Sequence, residues 1–576
     1  MPITWTKFQR QLPREMPLLA EVLRREERKT TPLSLKQQLA SAPAAERLGL
    51  LQSHIQAEMS EVLGTIPENS QRFVELGMTS LMAIQLANRL SNRLGIALPS
   101  TCALEYPTIE LLTNRVAELV FNGHAKRKPS QEVAAELKPV ARDRDMPLSL
   151  SQQQLWQRAQ LHPDGFARNL AFYYRLDGKL NVAVLRASLD EMMRRHEILR
   201  TSFALKNDSP VQVIAPNLPV NLSRIDLRNA PEPSKEIERR AQAEMHRPFD
   251  FATAPLWRVT LMQLGDGSFV LGLVAHHMIM DVASVDIFVK ELGLLYSALL
   301  EGKPSPLPAL PIQYADYAYW QRQTLTSEVL NARRNYWKQW LAEEPPPLKL
   351  TIDQPRPPVE TFRTGSEWRQ ISPELTRSIA TVSQQSGVTP FTTVLTSFVM
   401  LLHRYSGSEK IVVGVPLAGR NHQLLESLIG EFETGTFPLC IELQDQPGFV
   451  KLLKRIQRTY LSALAVGDAP VEPLVRTLQP ERDLRRHPLC RVLLNWLAEI
   501  PGTNLKLADV TVAPMHPEGV LGRDLVLNVW EEKTDSGIAL RGQWFYRAEL
   551  FEPGAIAKMA DDFRVILEQI VATPAQ

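Results

Sequence analysis

The sequence predicts a small α-helical bundle followed by a much larger mixed α/β unit, and three observations carry that expectation. Apolar residues recur at spacings of three and four through residues 48–62, 80–94 and 108–121, the period of a helix face. A polar, charged stretch broken by two prolines follows at 123–146, GHAKRKPSQEVAAELKPVARDRDM, which has the composition of a linker. Beyond it, helical periods alternate with short branched apolar runs that read as buried strands, in a mixture that suggests α/β or α+β layers rather than a strict βαβ repeat.

Residues 1–40 are proline-punctuated, with one short amphipathic stretch from Leu18 to Arg28, and look too small to fold alone. The first bundle helix carries Leu48, Leu51, Ile55, Met59 and Val62 on one stripe. The second runs from about Ser80 to Leu94, with Leu86, Leu90 and Leu94 on a stripe and Gly95 as its stop. The third starts near Thr108, after Pro107, and ends near Phe121. In the larger unit AVLRASLDEMMRRHEIL has a helical period, SFVLGLVA and KIVVGVPL read as buried strands, and TPFTTVLTSFVMLLHRYSG reads as a buried helix closed by glycine.

Length and composition bound the function. A chain of 576 residues holds three or four folding units. Its 65 basic and 63 acidic residues nearly cancel, and no basic patch of the nucleic-acid-binding kind stands out. Cys102, Cys440 and Cys490 lie far apart, which argues against a zinc site or disulfide framework and fits a reducing cytoplasm. The first residues lack the apolar core of a signal peptide, and no run of 18 apolar residues predicts a membrane span.

Two constellations carry chemistry. In ELGMTSLMAIQL, Ser80 follows a glycine-containing turn and opens a helix. A serine there is ordinarily a cap. The longer segment LGMTSLMAIQLANRLSNRLGIALPSTCALEYPTIELL, however, resembles the acyl carrier domains of modular polyketide synthases, through Leu76, Gly77, Ser80, Leu81 and Glu105 to Glu110. The resemblance implies a covalent 4'-phosphopantetheine on Ser80, placed by a phosphopantetheinyl transferase. A phosphodiester there would meet the positive end of the helix dipole. Thr79 departs from the aspartate that family has before its serine, which implies slower loading. Trp5 and Phe8 in TWTKFQRQLP resemble the end of a ketoreductase region, implying upstream polyketide synthase domains.

The second constellation is HHMIMD: His276, His277 and Asp281 between a strand and a helix-like run. Adjacent residues in extended chain point to opposite sides, so the two histidines are poor partners for one metal ion. A pair of ordinary polar residues at a strand end is the plain alternative. The chain from Met146 to about Thr573 resembles the condensation domains of nonribosomal peptide synthetases, through PLSLSQQQLW, RHEILRTSF, HHMIMD, YADYAYW, VGVPLAGR and RDLRRHPL in order. That resemblance implies two chloramphenicol-acetyltransferase-like lobes set in a V about a tunnel, at 147–320 and 321–576, after a carrier at 41–122. It implies an amide-forming acyltransferase with His277 at the active site, His276 turned into the structure, and Asp281 paired structurally with an arginine, Arg420 being the candidate. A downstream peptidyl carrier and adenylation module would supply the amine. Val282 stands where the family has glycine, which suggests a narrowed donor path or an altered loop under His277. IGEFETGT (Ile429 to Thr436) and VGDAPVEP (Val466 to Pro473) are also altered, leaving open an ester-forming or chain-releasing reaction with a hydroxyl acceptor, or a non-catalytic docking role.

Overall fold

The structure, a computed structural model, describes residues 35–76, 78, 80–96, 98–99, 102–121, 137–161, 169–340, 348–350, 352, 354–357, 363–416, 419–420, 422–432, 436–445, 447–466, 490–497, 500–515 and 523–573. The Leu18–Arg28 stretch, Trp5, Phe8, Gly77, Thr79, most of the expected linker and the segments 433–435, 467–473 and 482–489 lie outside them.

The N-terminal unit is helical: α1 (Leu35–Ser41), α2 (Ala44–Leu63), α3 (Ser80–Leu94), α4 (Cys102–Glu105) and α5 (Ile109–Phe121). Leu51, Ile55 and Met59 of α2 meet Leu86, Leu90 and Leu94 of α3 and Ile109, Leu112 and Val116 of α5 in one buried cluster. Helices α2 and α3 are also tied by a buried charge. The Glu58 carboxylate accepts from Arg89 Nε and Arg93 Nε, both at 2.6 Å. Leu48 lies on the expected stripe yet is 45% exposed.

The larger unit contains β1 (Met146–Pro147), α6 (Leu150–Leu161), β2 (Asn169–Gly178), α7 (Val182–Arg195), β3 (Thr201–Lys206), β4 (Ser209–Ile214), β5 (Leu222–Asp226), α8 (Pro233–His246), β6 (Trp257–Gly265), β7 (Ser268–His276), α9 (Val282–Leu300), α10 (Tyr314–Thr324) and α11 (Ser327–Trp340). It continues through β8 (Thr364–Ile371), α12 (Pro373–Ser386), α13 (Pro390–Ser406), β9 (Lys410–Pro416), β10 (Thr436–Glu442), α14 (Phe449–Val466), β11 (Val492–Leu497), β12 (Val510–Met515), β13 (Leu525–Thr534), β14 (Gly537–Arg547) and α15 (Pro553–Ala572).

These strands build two main sheets, one of five in the order β12-β2-β7-β6-β5 and one of six in the order β10-β9-β11-β13-β14-β8. Both mix parallel and antiparallel pairs: β5 runs parallel to β6, and β11 runs parallel to β13 and β9. Strand β7 reads as an unbroken apolar run because both of its faces are covered. Phe269, Leu271, Leu273 and Ala275 enter the main core with α9. Val270 and Val274 face Ile237, Ala241 and Met245 of α8. The second sheet packs a separate core against α12, α13, α14 and α15.

One element crosses the expected lobe boundary. Strand β12 comes from the C-terminal part of the chain but pairs antiparallel with β2, from Val510 opposite Gly178 to Met515 opposite Tyr173. The N-terminal sheet therefore contains a strand from beyond residue 320. Among the described residues no single helix is long and apolar enough to cross a membrane.

Candidate active site

The alternation along β7 separates the two histidines. His276 closes the strand and is buried, its ring edge-on to Phe251 at 4.8 Å and to Phe249 at 6.3 Å. Its Nδ1 accepts from the amide of Met278 at 3.0 Å. His277 begins the turn after the strand, and its side chain keeps 18% of its surface exposed.

The turn is held from three directions. From the opening motif, Gln152 Nε2 donates to the Met278 carbonyl at 2.9 Å, while Gln152 Oε1 accepts from the Ser149 amide at 3.1 Å. Asp281 ends the turn and caps α9, accepting from the Ser284 amide at 2.7 Å, the usual way an Asp satisfies a free helix N–H. From the second half of the chain comes the stretch 420–432. Arg420 Nη2 donates to Asp281 Oδ1 at 2.8 Å and to Ser284 Oγ at 2.7 Å. Its Nη1 donates to the carbonyls of Leu425 and Leu428 at 2.8 and 2.7 Å, and its guanidinium lies 4.1 Å from the Phe432 ring centroid. The Asp281 amide donates to the Gly430 carbonyl at 2.9 Å, and the Phe432 amide donates to Asp281 Oδ2 at 3.2 Å. Arg420 and Asp281, 139 residues apart, form a buried pair in which both terminal guanidinium nitrogens and both carboxylate oxygens are hydrogen-bonded, which is what makes such a pair tolerable.

Val282 is the first residue of α9. Helical backbone is open to any L-residue, so valine there needs no strained turn.

Sequence reading missed the charged neighbour of His277. Glu431 Oε2 lies 2.9 Å from His277 Nδ1, and the Glu431 side chain is only 4% exposed. The Tyr314 hydroxyl donates to the Glu431 carbonyl. Tyr314 is completely buried, and burial pushes its phenol far above the usual range, with the nearby Tyr317, Glu431 and Asp281 adding to the effect. The phenol therefore stays a donor. The signal in the sequence was the altered stretch IGEFETGT, Ile429 to Thr436, which sets this carboxylate between apolar residues without pointing to His277.

A second polar cluster anchors α9 from below. The His196 Nε2–Glu291 Oε2 distance is 2.7 Å, and Arg195 Nε lies 3.1 Å from the same oxygen. Burial holds the imidazole below its usual range, against the upward pull of Glu291. For Glu291, burial raises the carboxyl but its bonds to His196 and Arg195 outweigh that and leave it below the usual range. A neutral His196 donating to an ionised Glu291 satisfies both.

Ser80 is the first residue of α3, and the first turn of that helix contains no acidic residue. A phosphodiester at that end would meet the helix dipole without a repelling carboxylate, so the residues fit the group. Among the described residues no three His, Cys, Asp or Glu side chains gather as metal ligands.

Comparison with known proteins gives the family of both units. Residues 142–576 match the condensation-domain family, and residues 53–116 match the phosphopantetheine attachment site family. The chain is 36% identical over 508 residues to one of the linear gramicidin synthase subunits of Brevibacillus parabrevis, covering 88% of this chain and 10% of that protein. It is 37% identical over 432 residues to chondramide synthase of Chondromyces crocatus, covering 74% of this chain and 11% of that protein. A solved complex of the X-domain and OxyB from teicoplanin biosynthesis superposes with a TM-score of 0.68 at 27% identity, covering 77% of this chain and 96% of that one. The fold is a small helical carrier unit followed by a two-sheet α/β domain. The chain belongs to the condensation-domain family of peptide synthetases, and its carrier is of the kind that bears a covalent 4'-phosphopantetheine. It spans about a tenth of the length of these two curated relatives.

Proposed function

We propose that this chain holds a polyketide acyl group on Ser80 and condenses it with the amine of an aminoacyl group on a downstream carrier, giving an amide. The observation that carries the reading is the mounting of His277. It is partly open to solvent on a turn that Gln152, Arg420 and the 430–432 stretch hold from both halves of the domain. A phosphopantetheinyl transferase, upstream polyketide synthase domains and a downstream carrier with its adenylation domain complete the proposed setting, in the cytoplasm.

When bound, 4'-phosphopantetheine supplies a thiol that carries the acyl chain as a thioester and departs as the free thiol. The amine of an aminoacyl group has a pKa near 8, so a useful fraction is neutral at cellular pH. Its nitrogen attacks the acyl carbonyl carbon, and the N–C bond forms as the C–S bond breaks. His277 receives the ammonium proton and passes it to the departing sulfur, so no proton is gained or lost overall. General-base help of this kind contributes about 10²–10⁴-fold, and the meeting of two tethered reactants supplies several kcal/mol more. His276 plays no part in the transfer on this reading, and Asp281 with Arg420 holds the turn.

A second reading is favoured by the similarity to the X-domain, which was solved in complex with OxyB: a docking domain that performs no chemistry. One experiment separates the readings. The chain is incubated with coenzyme A and a transferase, acylated, and offered amine and alcohol acceptors side by side, with products followed by mass spectrometry. The proposal expects a mass gain that Ser80→Ala abolishes, an amide product, and a loss of at least about 10²-fold in rate for His277→Ala. Unchanged turnover in His277→Ala removes the catalytic assignment, and an ester product replaces the amine with a hydroxyl.

A further inference from the structure

We propose that Glu431 is a positioning residue for His277, its carboxylate fixing the proton on Nδ1 so that Nε2 is left as the proton acceptor. The proposal rests on the catalytic reading of His277 and adds to it a tautomer and a partner. An ionised carboxylate can only accept hydrogen bonds. With Glu431 ionised, its 2.9 Å contact with Nδ1 places the shared proton on that nitrogen. The other nitrogen of a neutral ring is then free of hydrogen. The same contact favours the imidazolium that forms once Nε2 has taken a proton, as the carboxylate of a Ser-His-Asp triad does.

The backbone around Glu431 is built to hold that aim. Three consecutive residues are bonded to the site: the Gly430 carbonyl accepts from the Asp281 amide, the Glu431 carbonyl accepts from Tyr314, and the Phe432 amide donates to Asp281. The two carbonyls and the amide of this stretch are thereby fixed to the His277 turn and to α10. The carboxylate is almost fully buried while the imidazole is not. Burying a carboxylate is costly unless it is paired and hydrogen-bonded, so its place behind the imidazole needs a compensating contact, and Nδ1–H provides one. The geometry is that of a carboxylate orienting a histidine through its Nδ1.

The test needs no turnover for its first readout. The full chain is labelled with ¹⁵N-histidine, and the His277 ring signals are assigned by their loss in His277→Gln. At pH 8 the proposal expects a protonated Nδ1 and an unprotonated Nε2. Glu431→Ala should shift the ring to a mixture of tautomers and lower kcat by about 10–100-fold, with little change in KM for the acceptor. Glu431→Gln, which preserves volume, should also lower kcat, because an amide does not stabilise the imidazolium as a carboxylate does. An Nε2-protonated His277 in the unaltered chain overturns the proposal. So does retention of both the tautomer and kcat in the two variants. Because the ring signals are read without substrate, failure of the condensation reading would appear in the His277→Ala assay and leave this result to stand or fall by itself.

Discussion

Gly430 has no room for a side chain. A Cβ built there would stand 1.9 Å from a ring carbon of Tyr314, far inside any contact a packed core permits. Tyr314 is fixed in turn by its hydroxyl bond to the Glu431 carbonyl and by Phe432, whose ring centroid is 5.0 Å away. Gly430→Ala must therefore push the 430–432 stretch off α10, and overpacking of this kind costs about 1–3 kcal/mol. The expected outcome is a lowered melting temperature together with weakened condensation, because the displaced backbone also carries Glu431 and the bonds to Asp281. A melt and a rate both unchanged would show that the stretch has slack that the packing does not suggest. This residue-level detail was only half visible in the sequence. His277 was legible because the HHMIMD motif is contiguous. Glu431 was not, since its pairing spans 154 residues and leaves no local period to read.

Helix α9 shows how one element ties the site to the rest of the lobe. Its first turn is capped by Asp281 and its middle is held by Glu291, which binds Arg195 at the end of α7 and His196 just after it. Burial depresses His196 in the folded chain, so the unfolded chain binds the proton more tightly. Stability is then fully present above the ordinary imidazole pKa of about 6.5 and is lost as pH falls below it. Glu291, depressed by its partners, adds a loss lower down, below the ordinary carboxyl range. His422, which burial also lowers, acts in the same direction as His196. Denaturant melts between pH 7.5 and 5.5 should show falling stability, each such histidine adding a slope of up to about 1.4 kcal/mol per pH unit. His196→Gln should flatten part of that slope. A profile as steep in the variant as in the parent would remove His196 from the account. At this scale the sequence was a good guide to helices, because a period of 3.6 fixes which side of an axis is apolar. It gave no guide to reach: Leu48 shares the stripe of Leu51 and is still 45% exposed, since a period says nothing about whether a neighbour stands opposite.

The two sheets are joined by the 500–515 segment, which leaves the second half of the domain and adds β12 to the first sheet. No local pattern announced this. VTVAPM is strand-like in the sequence, but its partner is set by topology, and a contiguous division at residue 320 does not capture it. The crossing passes so close to α9 that Gly293 is needed beneath it: a Cβ there would lie 2.4 Å from the Lys506 carbonyl oxygen. Two effects then compete in Gly293→Ala. Alanine favours a helix interior over glycine by about 1 kcal/mol. The clash is with backbone, which cannot rotate away as a side chain can, and overpacking of this kind costs about 1–3 kcal/mol. The clash should win, and its effect should appear at the crossing more than in the helix. Hydrogen exchange is expected to speed up for Val510–Met515 while the amides of β7, held on both sides by β2 and β6, keep their protection. Because β12 closes the edge of β2, its loosening would expose unpaired strand groups, and the variant should also aggregate at lower temperature than the parent. A more stable protein with unchanged exchange at 510–515 would mean that helix propensity outweighs the contact and that the crossing segment sits more loosely over α9 than the packing shows.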